Sequence, residues 1–148
     1  MKALNLPRYK INLRETQKGT QIFDVVRKKY VMLTPEEWVR QHTVHYLINH
    51  KNVPRSLIKV ETGVSYNKLH KRSDIIVYAR NGTPFILIEC KSFDQGINKS
   101  ALHQVAAYNK TLSATYVVIT NGMKFLCASL LPTMSWIDDI PTYPSLKD

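Results

Sequence analysis

Residues 74–91, DIIVYARNGTPFILIECK, decide the fold. Two apolar runs, 74–80 and 84–91, flank the dipeptide Asn81-Gly82. Asn-Gly accepts the positive φ values of a tight hairpin turn, so the runs read as antiparallel neighbours. The second run is apolar on both faces for most of its length, as a central strand is. The midpoint between Asp74 and Glu89 falls between residues 81 and 82. The hairpin therefore sets the two carboxylates nearly opposite each other at its open end. Glu89 and Lys91 stand two apart and share a strand face, together with Phe85 and Leu87.

This juxtaposition has a chemical consequence. Cross-strand neighbours on one face lie about 4.5–5.5 Å apart at Cβ, and two carboxylates at that spacing repel. Burying a carboxylate and an ammonium in a central strand is also costly without compensation. A Mg²⁺ or Mn²⁺ ion between the carboxylate oxygens relieves the repulsion; such ions take one or two carboxylates plus substrate phosphate. Each piece also has a structural reading. Asp74 can cap a turn after Ser73, and Glu89 with Lys91 can form a strand-end ion pair.

On the N-terminal side, residues 9–14 (YKINLR) and 21–26 (QIFDVV) read as short strands around a polar turn containing Gly19. They can pair within the chain or with a second copy, which leaves a homodimer open. Residues 29–33 are a candidate third extended piece. Thr34-Pro35-Glu36-Glu37 is a helix start: Thr34 caps, Pro35 suits the first turn, and Glu37 follows the cap by three. The helix is expected to run to about Asn49, with Val39, Thr43, Val44, Leu47 and Ile48 as its apolar stripe. Residues 57–62 alternate as a strand. On the C-terminal side, residues 98–112 read as a helix with Leu102, Val105, Ala106 and Asn109 on one side. Residues 114–120 and 124–129 form a second hairpin around Asn121-Gly122. The last residues, with their prolines and acids, carry no assignable pattern.

The 148 residues suffice for one domain with a real core. No run reaches the roughly 18 apolar residues of a membrane span, and the start lacks the apolar stretch of a secretory leader. A cytoplasmic location is the expectation. The net charge of +10, from 21 basic and 11 acidic residues, suits a polyanionic partner such as nucleic acid. Arg27-Lys28-Lys29 and Lys68-Leu69-His70-Lys71-Arg72 concentrate part of it. Cys90 and Cys127 sit in apolar runs and read as buried thiols. The five histidines show no metal-ligand spacing with cysteine, and Trp38 and Trp136 read as packing residues. With no phosphate-binding loop, the chain cannot by itself be a nucleotide-driven motor.

An Asp, a hairpin, then Glu-Cys-Lys at an apolar strand end resembles the PD-(D/E)XK nuclease signature, with Ser73-Asp74 where that superfamily often has Pro-Asp. Gln104-Val-Ala-Ala-Tyr108 resembles the Q-x-x-x-Y motif that follows the catalytic strand in the N-terminal nuclease domain of type I restriction enzyme R subunits. The stretch IFDVVRKKYVMLTPEEWVRQ, residues 22–41, is similar to the beginning of short bacterial proteins carrying that domain. The resemblance covers roughly residues 20–128. It implies metal ligation by Asp74, Glu89 and the backbone carbonyl of Cys90, with Lys91 acting on the attacking water and the developing phosphorane charge. It also implies a glutamate on the first helix holding a metal-bound water. Glu36, with Arg40 four residues on, and Glu37 both compete for that role. Gln104 and Tyr108, one turn apart on a shared helix face, would handle DNA.

The expectation is an α/β fold, a restriction-endonuclease-like mixed sheet flanked by helices with an extra N-terminal β-hairpin. Residues 1–33 would pack on a nuclease-like core at 34–131, followed by an irregular tail at 132–148. The implied function is divalent-metal-dependent endonuclease action on DNA, with a helicase or restriction-modification subunit as a possible partner. The alternative is a non-catalytic DNA-binding or assembly module on the same fold.

Overall fold

The computed structural model describes residues 1–65 and 71–146, and of residues 61–65 and 71–74 the backbone alone. Two sheets sandwich one helix. The first is small and antiparallel: β1 (Leu13–Thr16), β2 (Gly19–Asp24) and β3 (Lys29–Met32) in that order. The expected hairpin is present, and the candidate extended piece at residues 29–33 supplies its third strand. Its first strand begins at Leu13 rather than residue 9, because Tyr9 is drawn into ring contacts with His42, His45 and His50.

Helix α1 (Pro35–His50) follows. Thr34 is its cap, its hydroxyl accepting from the Glu37 N–H at 3.0 Å. Burial on α1 is wider than one apolar stripe, taking in Glu37, Arg40, Gln41 and His42 beside Val39, Thr43, Val44 and Leu47. The reason is position: the small sheet covers the side of α1 that a surface helix would give to solvent.

The second sheet has six strands in chain order: β4 (Ile58–Ser65), β5 (Lys71–Tyr78), β6 (Pro84–Cys90), β7 (Tyr116–Thr120), β8 (Phe125–Ser129) and β9 (Ser135–Ile137). Every pairing is antiparallel except β6 with β7. That parallel step needs a crossover, and helix α2 (Lys99–Leu112) supplies it. The β5–β6 turn follows its sequence: Gly82 takes φ 89°, which a side chain would resist.

Strand parity sorts the core into two layers. Val39, Val44 and Leu47 of α1 pack with Ile75, Val77, Ile86, Ile88, Cys90 and Val118 on one face. Leu102 and Val105 of α2 pack with Ile76, Leu87, Val117 and Ile119 on the other. Fully burying such a side chain contributes about 1.5–3 kcal/mol each. Phe85 departs from the expected alternation. A register shift near Tyr78 lets it join Tyr116 and Tyr143 beside the α1 layer, apart from Leu87.

Residues 132–148, expected to be irregular, supply β9 and two buried anchors, Ile140 and Tyr143. Tyr143 donates its hydroxyl to the Tyr78 carbonyl at 2.9 Å, and Asp139 meets Lys51 at 3.0 Å. The N-terminal segment is strapped across the other end. The Asn5 N–H donates to the Gly122 carbonyl at 2.9 Å, and Trp38 Nε1 donates to the Lys2 carbonyl at 2.8 Å. Gly122 is required there: a Cβ would lie 2.9 Å from Leu4 and 3.2 Å from Val39.

Candidate functional site

The backbone pairing puts Asp74 directly across from Glu89, with Ile75 across from Ile88 and Ile76 from Leu87. The hairpin arithmetic therefore holds to the residue. Glu61 of β4 pairs with Asp74 from the other side, so one transverse row of the sheet reads Glu61, Asp74, Glu89. Sequence reading did not pick out Glu61; the β4–β5 register that brings it there is set by long-range pairing. The side chains of Glu61 and Asp74 lie outside the described residues, as does the cluster at residues 68–72.

Glu89 is buried, 5% exposed, at the C-terminal end of β6. Its neighbours Ile88 and Cys90 face the α1 layer, so by alternation Glu89 faces the α2 side. Lys91 follows where β6 ends; its N–H donates to the Thr120 carbonyl at 2.8 Å, and its Nζ lies 3.3 Å from Glu89 Oε2. A buried carboxylate on a hydrogen-bonded strand end, with an ammonium beside it, is held in a fixed place.

On α2, Asn98 caps the first turn by accepting from the Ala101 N–H at 2.8 Å, as its residue type favours. Leu102, Val105 and Asn109 form the buried face. Asn109 fixes the helix exit through paired hydrogen bonds with the Ala114 backbone at 2.9 and 3.0 Å. Gln104 is exposed and Tyr108 partly so, on a helix that covers the same side of the sheet as Glu89.

The two α1 glutamates have different surroundings, and α1 itself lies against the opposite face of the sheet from Glu89. Glu36 is partly exposed. Glu37 is 7% exposed and engaged: Arg40 Nη1 and Arg27 Nη2 contact its Oε1, the latter at 3.4 Å, and Gln41 Nε2 donates to its Oε2 at 2.8 Å. Rather than reaching back to the cap, the Glu37 carboxylate joins a network that continues to Asp24. Asp24 is fully buried, accepts the Val26 and Arg27 N–H groups at 2.8 and 2.9 Å, and pairs with the Arg27 guanidinium. Burial opposes its ionisation. The Arg27 hydrogen bonds and charge, helped by Gln41, outweigh that and hold the carboxyl below its ordinary range. The expected basic cluster is thereby divided: Arg27 points inward, while Lys28 and Lys29 are exposed. The Glu37-x-x-Arg40 spacing was the visible trace of this network, but its link to Asp24 needs the tertiary fold.

Both cysteines are buried and free, and burial pushes the Cys127 thiol up to about 12. His42 is buried beside Trp38 and Tyr9, as expected of a packing histidine. Trp136, expected to pack, is 40% exposed, with His103 edge-on at 6.0 Å and the Lys99 ammonium 5.0 Å from its ring. Among the described residues, no three of His, Cys, Asp and Glu gather as a metal-holding group, and no helix is long and apolar enough to cross a membrane.

Residues 35–142 match the family model described as type I restriction enzyme R protein N terminus (HSDR_N). The chain belongs to this family. The match spans α1 through β9, and the mixed sheet flanked by helices agrees with restriction-endonuclease-like architecture. The small N-terminal sheet precedes the matched stretch. Neither a curated protein nor a solved structure matches the chain.

As a donor set, the Asp74–Glu89 pair suits a hard divalent cation: both residues offer oxygen only, and the register makes them immediate neighbours. The Cys90 carbonyl follows Glu89 directly in the chain. Lys91 beside Glu89 supplies one positive charge to the same place.

Proposed function

We propose that this chain is a DNA-handling module of the restriction R-protein N-terminus family and that its β5–β6 strand end is a metal-dependent phosphodiester hydrolase site. The supporting observation is the Asp74–Glu89 pairing with Lys91 at the adjoining strand end. In this reading Asp74, Glu89 and the Cys90 carbonyl hold Mg²⁺ or Mn²⁺, which when bound supplies Lewis-acid activation of the phosphate. The protein's own part is positional. The β5–β6 pairing fixes the carboxylates, and the Lys91 ammonium stabilises negative charge developing on the phosphoryl oxygens. Of the α1 glutamates, Glu37 is already matched by Arg27, Arg40 and Gln41, and α1 packs on the opposite face of the sheet from Glu89, so a water-holding part for Glu36 or Glu37 draws no support from this geometry. Gln104 and Tyr108 contact the DNA strand from α2. A motor or restriction-modification subunit would deliver DNA to the site.

A second reading is a non-catalytic DNA-binding or assembly module. It draws on the Lys91–Glu89 contact as a closed ion pair and on the engagement of Glu37 in a structural network. The two readings part on one experiment, incubation of the full chain with plasmid and single-stranded DNA in Mn²⁺. The nuclease reading expects slow cleavage, reduced at least about 100-fold in Lys91→Ala, as for loss of an electrostatic catalytic group. Equal cleavage by wild type and Lys91→Ala, or DNA binding without cleavage, supports the second reading.

A further inference from the structure

The three-stranded sheet presents two unlike faces. Ile22 and Asp24 of β2 are fully buried toward α1. By alternation Gln21 and Phe23 face the other way, with their pairing partners Arg14, Tyr30 and Met32. On this outer face the Phe23 and Tyr30 rings meet edge to face at 5.1 Å, and the Arg14 guanidinium lies 4.0 Å from the Tyr30 ring centre. Arg14 is held there by donating to Gln21 Oε1 at 2.7 Å. Neither ring belongs to the core layers, and both are partly exposed. Met32 beside them is 45% exposed.

Charge surrounds this aromatic surface. Residues 13–33, which form the small sheet, carry five basic and two acidic residues, a net +3. Asp24 is spent internally on Arg27. Lys28 is exposed at the β2–β3 turn next to Phe23 and Tyr30, while Lys29 is exposed on the Asp24 side of β3. A fixed pair of aromatic rings with a stacked guanidinium, inside a cationic surround, provides what unpaired nucleotides need. The rings accept bases without regard to sequence, and the cations neutralise phosphates. A duplex hides its base faces and could use only the cations.

We propose that the outer face of β1–β3 binds single-stranded DNA, stacking bases on Phe23 and Tyr30 while Arg14 and Lys28 contact the phosphates. The assignment extends the DNA-handling reading to a substrate class and rests on that reading only for its purpose, not for its chemistry. The small sheet is then an added platform that presents an unpaired strand to the family domain behind it.

The test is fluorescence anisotropy of a labelled oligothymidylate and a duplex of equal length, titrated with the full chain in EDTA at low salt. Wild type is expected to bind oligothymidylate more tightly than duplex. Phe23→Ala and Tyr30→Ala should each weaken oligothymidylate binding by about ten-fold, while Tyr30→Phe, which keeps the ring, should retain it. In case an alanine variant does not fold, the ring proton resonances of Phe23 and Tyr30 in wild type should shift on adding oligothymidylate. Unchanged affinity in folded alanine variants, unshifted ring resonances, or tighter binding to duplex would each overturn the proposal. Binding is read without metal, so failure of the metal site leaves it intact, and failure of the platform leaves Mn²⁺ uptake intact.

Discussion

Two groups of charge, one around α1 and one at the end of β6, are balanced differently. Around α1 each buried acid is answered by a base: Asp24 by Arg27, Glu37 by Arg27 and Arg40, with Gln41 filling the remaining Glu37 oxygen. The network joins the small sheet to the helix, with Arg40 Nε and Gln41 Oε1 left without a hydrogen-bond partner among the described residues. At the end of β6 the backbone sets acid against acid, Asp74 across from Glu89, with Lys91 to one side. Matched charge offsets part of the desolvation cost of burying ionic groups. Like charge held in register costs stability, and it is retained where a cation or a substrate is to be received.

The first way to break this contrast is to exchange the consequences of mutation. Arg40→Ala leaves Glu37 buried without its closest cation, so it should destabilise the fold by about 3–5 kcal/mol, measured by urea unfolding. Glu89→Gln removes the carboxylate of the residue paired with Asp74. In EDTA it should leave the melting temperature unchanged or raise it, while abolishing Mn²⁺-dependent cleavage. If Arg40→Ala is neutral, or Glu89→Gln is as damaging to stability as Arg40→Ala, the two clusters are of one kind and the contrast fails.

A smaller effect sharpens the α1 side. Burial lowers the pKa of His42, against a raising contribution from its hydrogen bond to the Trp38 carbonyl. Burial also lowers that of His45, with the charges of His42 and Arg55 adding to it and Asp24 opposing. Groups with depressed folded pKa values bind fewer protons folded than unfolded. Their stabilising contribution is therefore complete above the unfolded histidine value of about 6.5 and is lost as pH falls through the folded values. Tyr9 packs on both rings and, through its hydroxyl, meets His50 Nδ1 at 2.8 Å. Thermal melts should therefore show stability declining from pH 7 toward pH 5, and Tyr9→Ala should lower stability at neutral pH. A melting temperature flat across that interval would remove the histidine cluster from the account.

The order and type of elements from α1 to β8 were legible because each carries a local signal. Thr34-Pro35 opens α1, Asn98 caps α2, and two Asn-Gly pairs turn the strands. The facing of Asp74 and Glu89 was legible because Asn81-Gly82 centres the hairpin, and the register shift near Tyr78 does not displace that pair. What escaped the sequence depends on tertiary burial. The small sheet turns half of α1 into core, so Glu37 and Arg40, ordinary surface residues by type, become a buried pair. Tyr143 and Ile140 become anchors only because β8 leaves an edge for β9. Glu61 enters the acidic row through a β4–β5 pairing that contains a register shift and that no turn signal announces.

The Asp74–Glu89 row, as a cation site, is what every catalytic expectation above depends on. The most direct test is isothermal titration of the full chain with Mn²⁺, in parallel with Glu89→Ala and Arg40→Lys. The account predicts millimolar or tighter uptake by wild type and Arg40→Lys and none by Glu89→Ala. Absence of Mn²⁺ uptake by wild type at millimolar concentration, or equal uptake by Glu89→Ala, would contradict it.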